Sequence, residues 1–174
     1  MEPTFVYPEK LSKSERYAAL LDDYKFYIEG ETDLISTMAN TSAVLHEAFG
    51  FFWVGFYLVH DKEWLHLGPF QGSAACTRIR LGRGVCGTCW AKDETIVVPD
   101  VDAFPGHIAC SSASRSEIVL PVHDKSGAVI AVLDIDSDRL GAFDEEDSQG
   151  LQAIVAALET TIDKANVLVD ETIV

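Results

Sequence analysis

The chain has 174 residues, of which 28 are acidic and 13 are Lys or Arg, giving a formal net charge of −15. That field repels phosphate backbones and anionic lipid surfaces, which argues against nucleic-acid and membrane partners. With 48% hydrophobic and 24% charged residues, the composition is that of a single soluble domain with a real core. No apolar run nears the roughly 20 residues needed to span a bilayer. The stretch MEPTFVYPEKLSKSE lacks the apolar centre of a secretory signal, so a cytoplasmic location is expected.

Residues 1–50 read as two helices. Tyr17, Leu20, Leu21, Tyr24 and Ile28 recur at helical spacing, with Gly30 as a stop. Thr32 or Asp33 then caps a helix carrying Leu34, Ile35, Met38, Leu45 and Phe49, ended by Gly50. Residues 51–143 read as a sheet with its loops. FFWVGFYLV (51–59) and EWLHLGPF (63–70) form a hairpin across HDK. TIVVPD, SEIVLPVHD and AVIAVLDID are further strands, the last two joined by the turn DKSG. The glycine-rich segment 82–88 and the long segment 100–116 read as mobile functional loops. Residues 144–174 read as a helix and tail, with Asp144 as N-cap and Leu151, Ile154, Val155, Leu158 and Ile162 on its apolar face. The expected class is α+β: one domain with a central, largely antiparallel sheet between N-terminal and C-terminal helices.

All four cysteines fall between Cys76 and Cys110, which points to thiol chemistry or a metal site. Cys86-Gly87-Thr88-Cys89 is a CxxC, as found in thioredoxin-like sites and in halves of zinc sites. No βαβ pattern surrounds it and there is no second CxxC. His107, Cys76 and Cys110 could complete a metal site only at irregular spacing. A third reading is a cycle in which one cysteine attacks, becomes oxidised and is resolved by another as a disulfide. It needs cysteines on accessible, mobile backbone, which segments 82–88 and 100–116 would supply.

Strand alternation adds candidate ligand contacts. Ile130, Val132, Asp134 and Asp136 share one face of their strand, Glu117 shares one with Val119 and Pro121, and Trp53, Gly55 and Tyr57 share a third. The carboxylates either mark strand ends leaving the core or line a pocket. The Trp53 and Tyr57 rings, about 13 Å apart at a rise of roughly 3.3 Å per residue, either belong to the core or frame a gap at Gly55. Such a gap beside carboxylates suits a small ligand bearing an ammonium group.

The segments GPFQGSAACTRIRLGRGVCGT, VVPDVDAFPGHIACSSASRSEIV and VLDIDSDRLGAFDEED resemble the free methionine-(R)-sulfoxide reductase family, which has the GAF fold. The resemblance spans about Phe51 to Leu158. It implies thiol-dependent reduction of the R epimer of free methionine sulfoxide, with thioredoxin as reductant, no metal, no organic cofactor and a homodimer. The family motif falls on Cys76, Cys86 and Cys110. Cys110 corresponds to the nucleophile and Cys76 to its resolving partner, with Cys86 the runner-up for either role. Substrate contacts fall on Trp53, Tyr57, Glu117, Asp134 and Asp136, the positions that alternation also selects. Cys89 departs from the family pattern and reads as a small buried hydrophobe. Arg78, Arg115 or backbone amides near Cys110 are candidates for holding its thiolate. Tyr17, Tyr24 and Tyr27 are a candidate dimer contact, with packing inside the chain as the alternative. The competing function is a redox-sensing or small-molecule-sensing GAF module without turnover.

Overall fold

Ser12 starts the first helix. In the computed structural model, which describes residues 4–108 and 112–162, its side chain accepts from Glu15 N at 3.2 Å, and the Glu15 carboxylate accepts from Ser12 N at 2.8 Å. This capping box satisfies two otherwise orphaned donors ahead of α1 (Lys13–Tyr27). The helix ends at Tyr27, so Gly30 lies in the turn beyond it rather than at its stop. Asp33 caps α2 (Leu34–Phe49) by accepting from Ser36 N at 2.7 Å, and left-handed Gly50 terminates it.

Six strands follow: β1 (Trp53–Val59), β2 (Trp64–Gln71), β3 (Arg78–Arg80), β4 (Ile96–Val98), β5 (Ser116–His123) and β6 (Val129–Ser137). They form one sheet in the order β3-β2-β1-β6-β5-β4, and every pairing is antiparallel. Between β3 and β4 lies α3 (Gly84–Lys92), which corrects the expectation of a mobile loop at 82–88. Val85, Cys86 and Cys89 are buried against the sheet, and that burial outweighs the poor helix propensity of the glycines. Asp144 forms a second capping box with Asp147 at the start of α4 (Glu145–Glu159). The expected tail at 165–174 lies outside the described residues.

Alternation along the strands gives the sheet two apolar faces. Val54, Phe56, Ile118, Leu120, Leu133 and Ile135 pack under α1, α2 and α4. Trp53, Tyr57, Val119 and Val132 pack against α3 and its neighbouring segments. Ile130 goes with the helical layer rather than with Val132, because the β5–β6 register shifts beside it and leaves it unpaired. Tyr17 and Tyr24 are buried inside the chain, where Tyr17 donates to Asp147 at 3.0 Å and Tyr24 shares a 2.6 Å hydrogen bond with Thr41. Packing within the chain therefore accounts for two of the three rings suggested as a dimer contact, and the third, Tyr27, is partly buried against Phe5 at 5.4 Å.

Two contacts hold α4 in place and give direct tests. A Cβ on Gly150 would stand 2.3–2.6 Å from the Tyr17 ring. Gly150→Ala should therefore lower stability by about 1–3 kcal/mol through overpacking, although alanine is the better helix former. A thermal midpoint equal to or above the parent's would show that α1 simply yields. His123 bridges Asp93 (2.6 Å) and Glu159 (2.9 Å) through its two ring nitrogens. Partial burial lowers its pKa, but the hydrogen bonds to Asp93 and Glu159 outweigh it and raise the pKa overall. The clamp's stabilisation is thus full below the unfolded value of about 6.5 and lost as pH rises through the higher folded value. His123→Gln should remove that alkaline slope from a plot of thermal midpoint against pH.

Candidate active site

The site lies at one end of the central strands, on the α3 face. Cross-strand register sets Trp53 and Glu117 on either side of Asp136, and Gly55 and Val119 on either side of Asp134. The alternation that aims Val132 into this layer therefore aims Asp134, Asp136 and Glu117 there as well. Helix α3 brings Cys86 beneath them. Its Sγ stands 3.9 Å from Glu117 Oε1, a weak S–H donor to a carboxyl. Donor atoms of Cys86, Glu117 and Asp134 all lie within 4.8 Å of one another. His107 Nε2 approaches Glu117 Oε2 at 3.9 Å.

These groups enclose a cavity of about 20 Å³, lined by Cys86, His107, Ile108, Ser114 and the three carboxyls, with Ile79, Gly84 and Val85 completing the wall. Space of that size holds about one water molecule, so a free amino acid must displace part of the wall to enter. Asp134 is 6% exposed, and its Oδ1 has no hydrogen-bond partner among the described residues. An orphaned buried oxygen aimed at a cavity is the signature of a position completed by a ligand or water.

Burial raises the pKa of all three carboxyls. Glu117 and Asp134 are pushed well above the ordinary carboxyl range, first by desolvation and then by neighbouring carboxylates. Desolvation raises Asp136 to about 6. Burial and the same carboxyls push the Cys86 thiol upward as well. Burial thus makes Glu117 and Asp134 hold their protons more firmly than ordinary carboxyls, Asp136 titrates near 6, and Cys86 is kept as a thiol rather than a thiolate. Cys86, Glu117 and Asp134 are also the kind of donor set that ligates a divalent cation, although a cation would have to displace firmly held protons.

The structure brings Cys86, Glu117, Asp134 and Asp136 together. Trp53 and Tyr57 lie behind this layer, and neither lines the cavity. Their ring centroids are 6.2 Å apart and stacked, and Phe70 stacks on Trp53 at 5.4 Å, which corrects the expected open gap. The rings lean over Gly55, where a Cβ would meet Trp53 at 2.7 Å. Their polar ends reach the segment carrying Cys76: Trp53 Nε1 donates to Ser73 O at 2.9 Å, and Tyr57 Oη donates to Cys76 O at 3.0 Å. Cys76 is disulfide-bonded, whereas Cys86 and Cys89 are free thiols. Cys89 is fully buried in the α3 cluster. Cys110 lies outside the described residues. Arg78 and Arg115 are exposed and do not line the cavity. Ile108 and Ser114 carried no signal of their own beyond flanking Cys110 in sequence, and His107 was marked only as a possible metal ligand.

A six-stranded antiparallel sheet with a thiol and carboxyl cluster beneath it matches a known class. The sequence model of the GAF domain matches residues 33–162. The chain is 50% identical to the free methionine-R-sulfoxide reductase of Escherichia coli (strain K12), over 87% of this chain and 92% of that one. Identity to the enzyme of the same description from Saccharomyces cerevisiae is 37%, over 85% and 86% of the two chains. The solved structure of free methionine-R-sulfoxide reductase from Neisseria meningitidis in complex with its substrate superposes with a TM-score of 0.86 at 50% identity, covering 92% of this chain and 95% of that one. The chain is thus a GAF-domain protein of the oxidoreductase kind. It belongs to the free methionine-R-sulfoxide reductase family.

Proposed function

We propose that this chain reduces free L-methionine (R)-S-oxide to L-methionine through a cysteine sulfenic acid and a disulfide. The observation that carries the reading is the buried carboxyl cluster beside the Cys86 thiol, in which burial raises the pKa of all three members. A sulfoxide sulfur accepts a nucleophile only as its oxygen becomes a better leaving group, so attack needs a proton donor at the oxygen. Glu117, whose proton burial and the neighbouring carboxyls hold firmly, is that donor. Asp136, ionised above about pH 6, pairs with the substrate ammonium, and the free Oδ1 of Asp134 accepts a second N–H. A peptide-bound methionine sulfoxide offers an amide in place of the ammonium and is rejected.

The nucleophile is Cys110. The substrate's oxygen passes to its sulfur, methionine sulfur gains two electrons, and the cysteine is left as a sulfenic acid. Cys76 condenses with it, releasing water and forming a disulfide. A thioredoxin dithiol then reduces that disulfide. A reducing cytoplasm and an oxidative-stress role follow from this cycle. The disulfide at Cys76 and the raised thiol pKa of Cys86 support assigning the redox cycle to Cys76 and Cys110.

NADPH consumption coupled through thioredoxin reductase and thioredoxin, run with each epimer of the free amino acid, tests the proposal. Sustained turnover with the R epimer alone is expected. Disulfide formation by peroxide without R-dependent turnover would leave the sensing reading in its place. Tyr57→Phe keeps the ring stack but removes the hydrogen bond to Cys76 O. It should slow disulfide formation several-fold while leaving the single-turnover release of methionine unchanged, as read by quenched-flow. Equal slowing of both steps would mean that Tyr57 serves substrate binding instead.

A further inference from the structure

A second, larger cavity of about 820 Å³ opens on the helical side of the sheet and shares no lining residue with the catalytic one. It lies between the first turn of α1, the α2–β1 turn at 49–52 and the connection from β6 to α4 at 137–143. We infer that it binds a small organic carboxylate with an apolar body, anchored by Arg16.

Arg16 is the reason. Its Nε–H is buried without a hydrogen-bond partner among the described residues, and its guanidinium lies 5.9 Å from the Phe49 ring centroid. Arg16 joins no ion pair among those residues either. A buried guanidinium donor normally has a partner, and its planar fork matches a carboxylate. The neighbouring Lys13 is already committed to Asp144 and Asp147, at 2.7 and 2.6 Å. Asp147 in turn also accepts from Tyr17 and from Asp144 N. Among the lining side chains Lys13, Arg16 and Arg139 outnumber Asp138 and Asp147 by one, a local excess of one positive charge on the wall in a molecule of net charge −15. That excess suits a singly charged anion.

The rest of the wall suits its body. Phe49 and Phe51 stack at 5.2 Å, and Phe143 stands 6.0 Å from Phe51, presenting ring surface beside the guanidinium. The volume falls within the range of small-molecule sites. The cavity also reaches toward the catalytic face through its own wall. Ser116 Oγ donates to Arg139 O at 2.6 Å and accepts from Ala142 N at 3.3 Å, next in sequence to Glu117. This inference stands independently of the reaction proposed above.

Phenylacetate titrated into the isotope-labelled full chain is the test, read by nuclear magnetic resonance at the Arg16 Nε–H and the Ala142 amide. Both signals should shift and saturate in the millimolar range. Phenylacetamide, which keeps the shape without the charge, should bind about tenfold or more weakly, as expected for loss of a charge-assisted hydrogen bond. Arg16→Lys retains a cation but not the Nε–H, and should weaken phenylacetate by a similar factor at the Ala142 reporter, with the remaining spectrum unchanged. Equal binding of acid and amide, undiminished binding to Arg16→Lys, or no shift at Ala142 would each overturn the inference. Shifts that fade as protein concentration rises would place a second copy in the cavity and overturn it as well.

Discussion

Asp134→Asn is expected to lower kcat/KM for free methionine sulfoxide by about 10- to 100-fold, because an arriving ammonium favours the ionised carboxyl and asparagine, which keeps the acceptor oxygen, cannot supply that charge, while raising the thermal midpoint of the unliganded protein. The two effects share one cause. Asp134 is buried beside Asp136, and its Oδ1 has no partner among the described residues. Unfolded, this carboxyl ionises near 3.9; folded, burial and Asp136 hold it protonated to well above that value. As pH climbs past about 4, ionisation therefore favours the unfolded chain, and the native state loses stability until the folded pKa is reached. Asparagine has nearly the same shape and no such titration. The midpoint difference between variant and parent should be smallest below about pH 4 and grow toward neutrality. A stabilisation of about 1–2 kcal/mol corresponds to several degrees for a chain of this size. Thermal unfolding across that pH range is the measurement, and a variant less stable than the parent at pH 7 would show that the carboxyl is satisfied in the unliganded state.

Strand periodicity made much of this arrangement legible. Asp134 and Asp136 continue the stripe begun by Val132, and an antiparallel partner strand had to bring Glu117 beside them if its own stripe faced the same layer. The helix limits were legible where caps are chemical, at Asp33, Gly50 and Asp144. Helix α3 was not, because its glycines suggest a loop and its signal is tertiary: Val85, Cys86 and Cys89 are buried together against the sheet. The gap between Trp53 and Tyr57 failed for a related reason. Strand rise sets where Cβ atoms stand, whereas Gly55 allows both rings to lean across it until they stack at 6.2 Å. Local spacing gives the positions of backbone atoms. The direction in which a large side chain leans is decided by packing with residues such as Phe70 that are distant in sequence.

The thiols should separate by step rather than by degree. Cys110→Ser is expected to lose turnover by at least about 10³-fold with either dithiothreitol or thioredoxin, since without the attacking sulfur no methionine is released. Cys76→Ser should release one equivalent of methionine per chain and then stall with thioredoxin, because the sulfenic acid has no partner to present as a disulfide. Dithiothreitol, small enough to reach the sulfenic acid, should restore part of that turnover. Cys86→Ser should fall between these limits. Its thiol is buried, donates toward Glu117 and is held protonated by Asp134 and Glu117, so its removal alters the proton donor without removing the nucleophile. The expected signature is a shift in the alkaline limb of the pH profile, with the single-turnover yield kept at one. Cys89→Ala should leave every step unchanged and cost only the stability of a buried side chain, about 1 kcal/mol. Full single-turnover activity in Cys110→Ser, together with its loss in Cys86→Ser, would transfer the attack to Cys86. A protonated, fully buried thiol would then have to be activated by movement of α3 on substrate entry, which solvent protection of the Cys86 thiol with and without methionine sulfoxide would reveal.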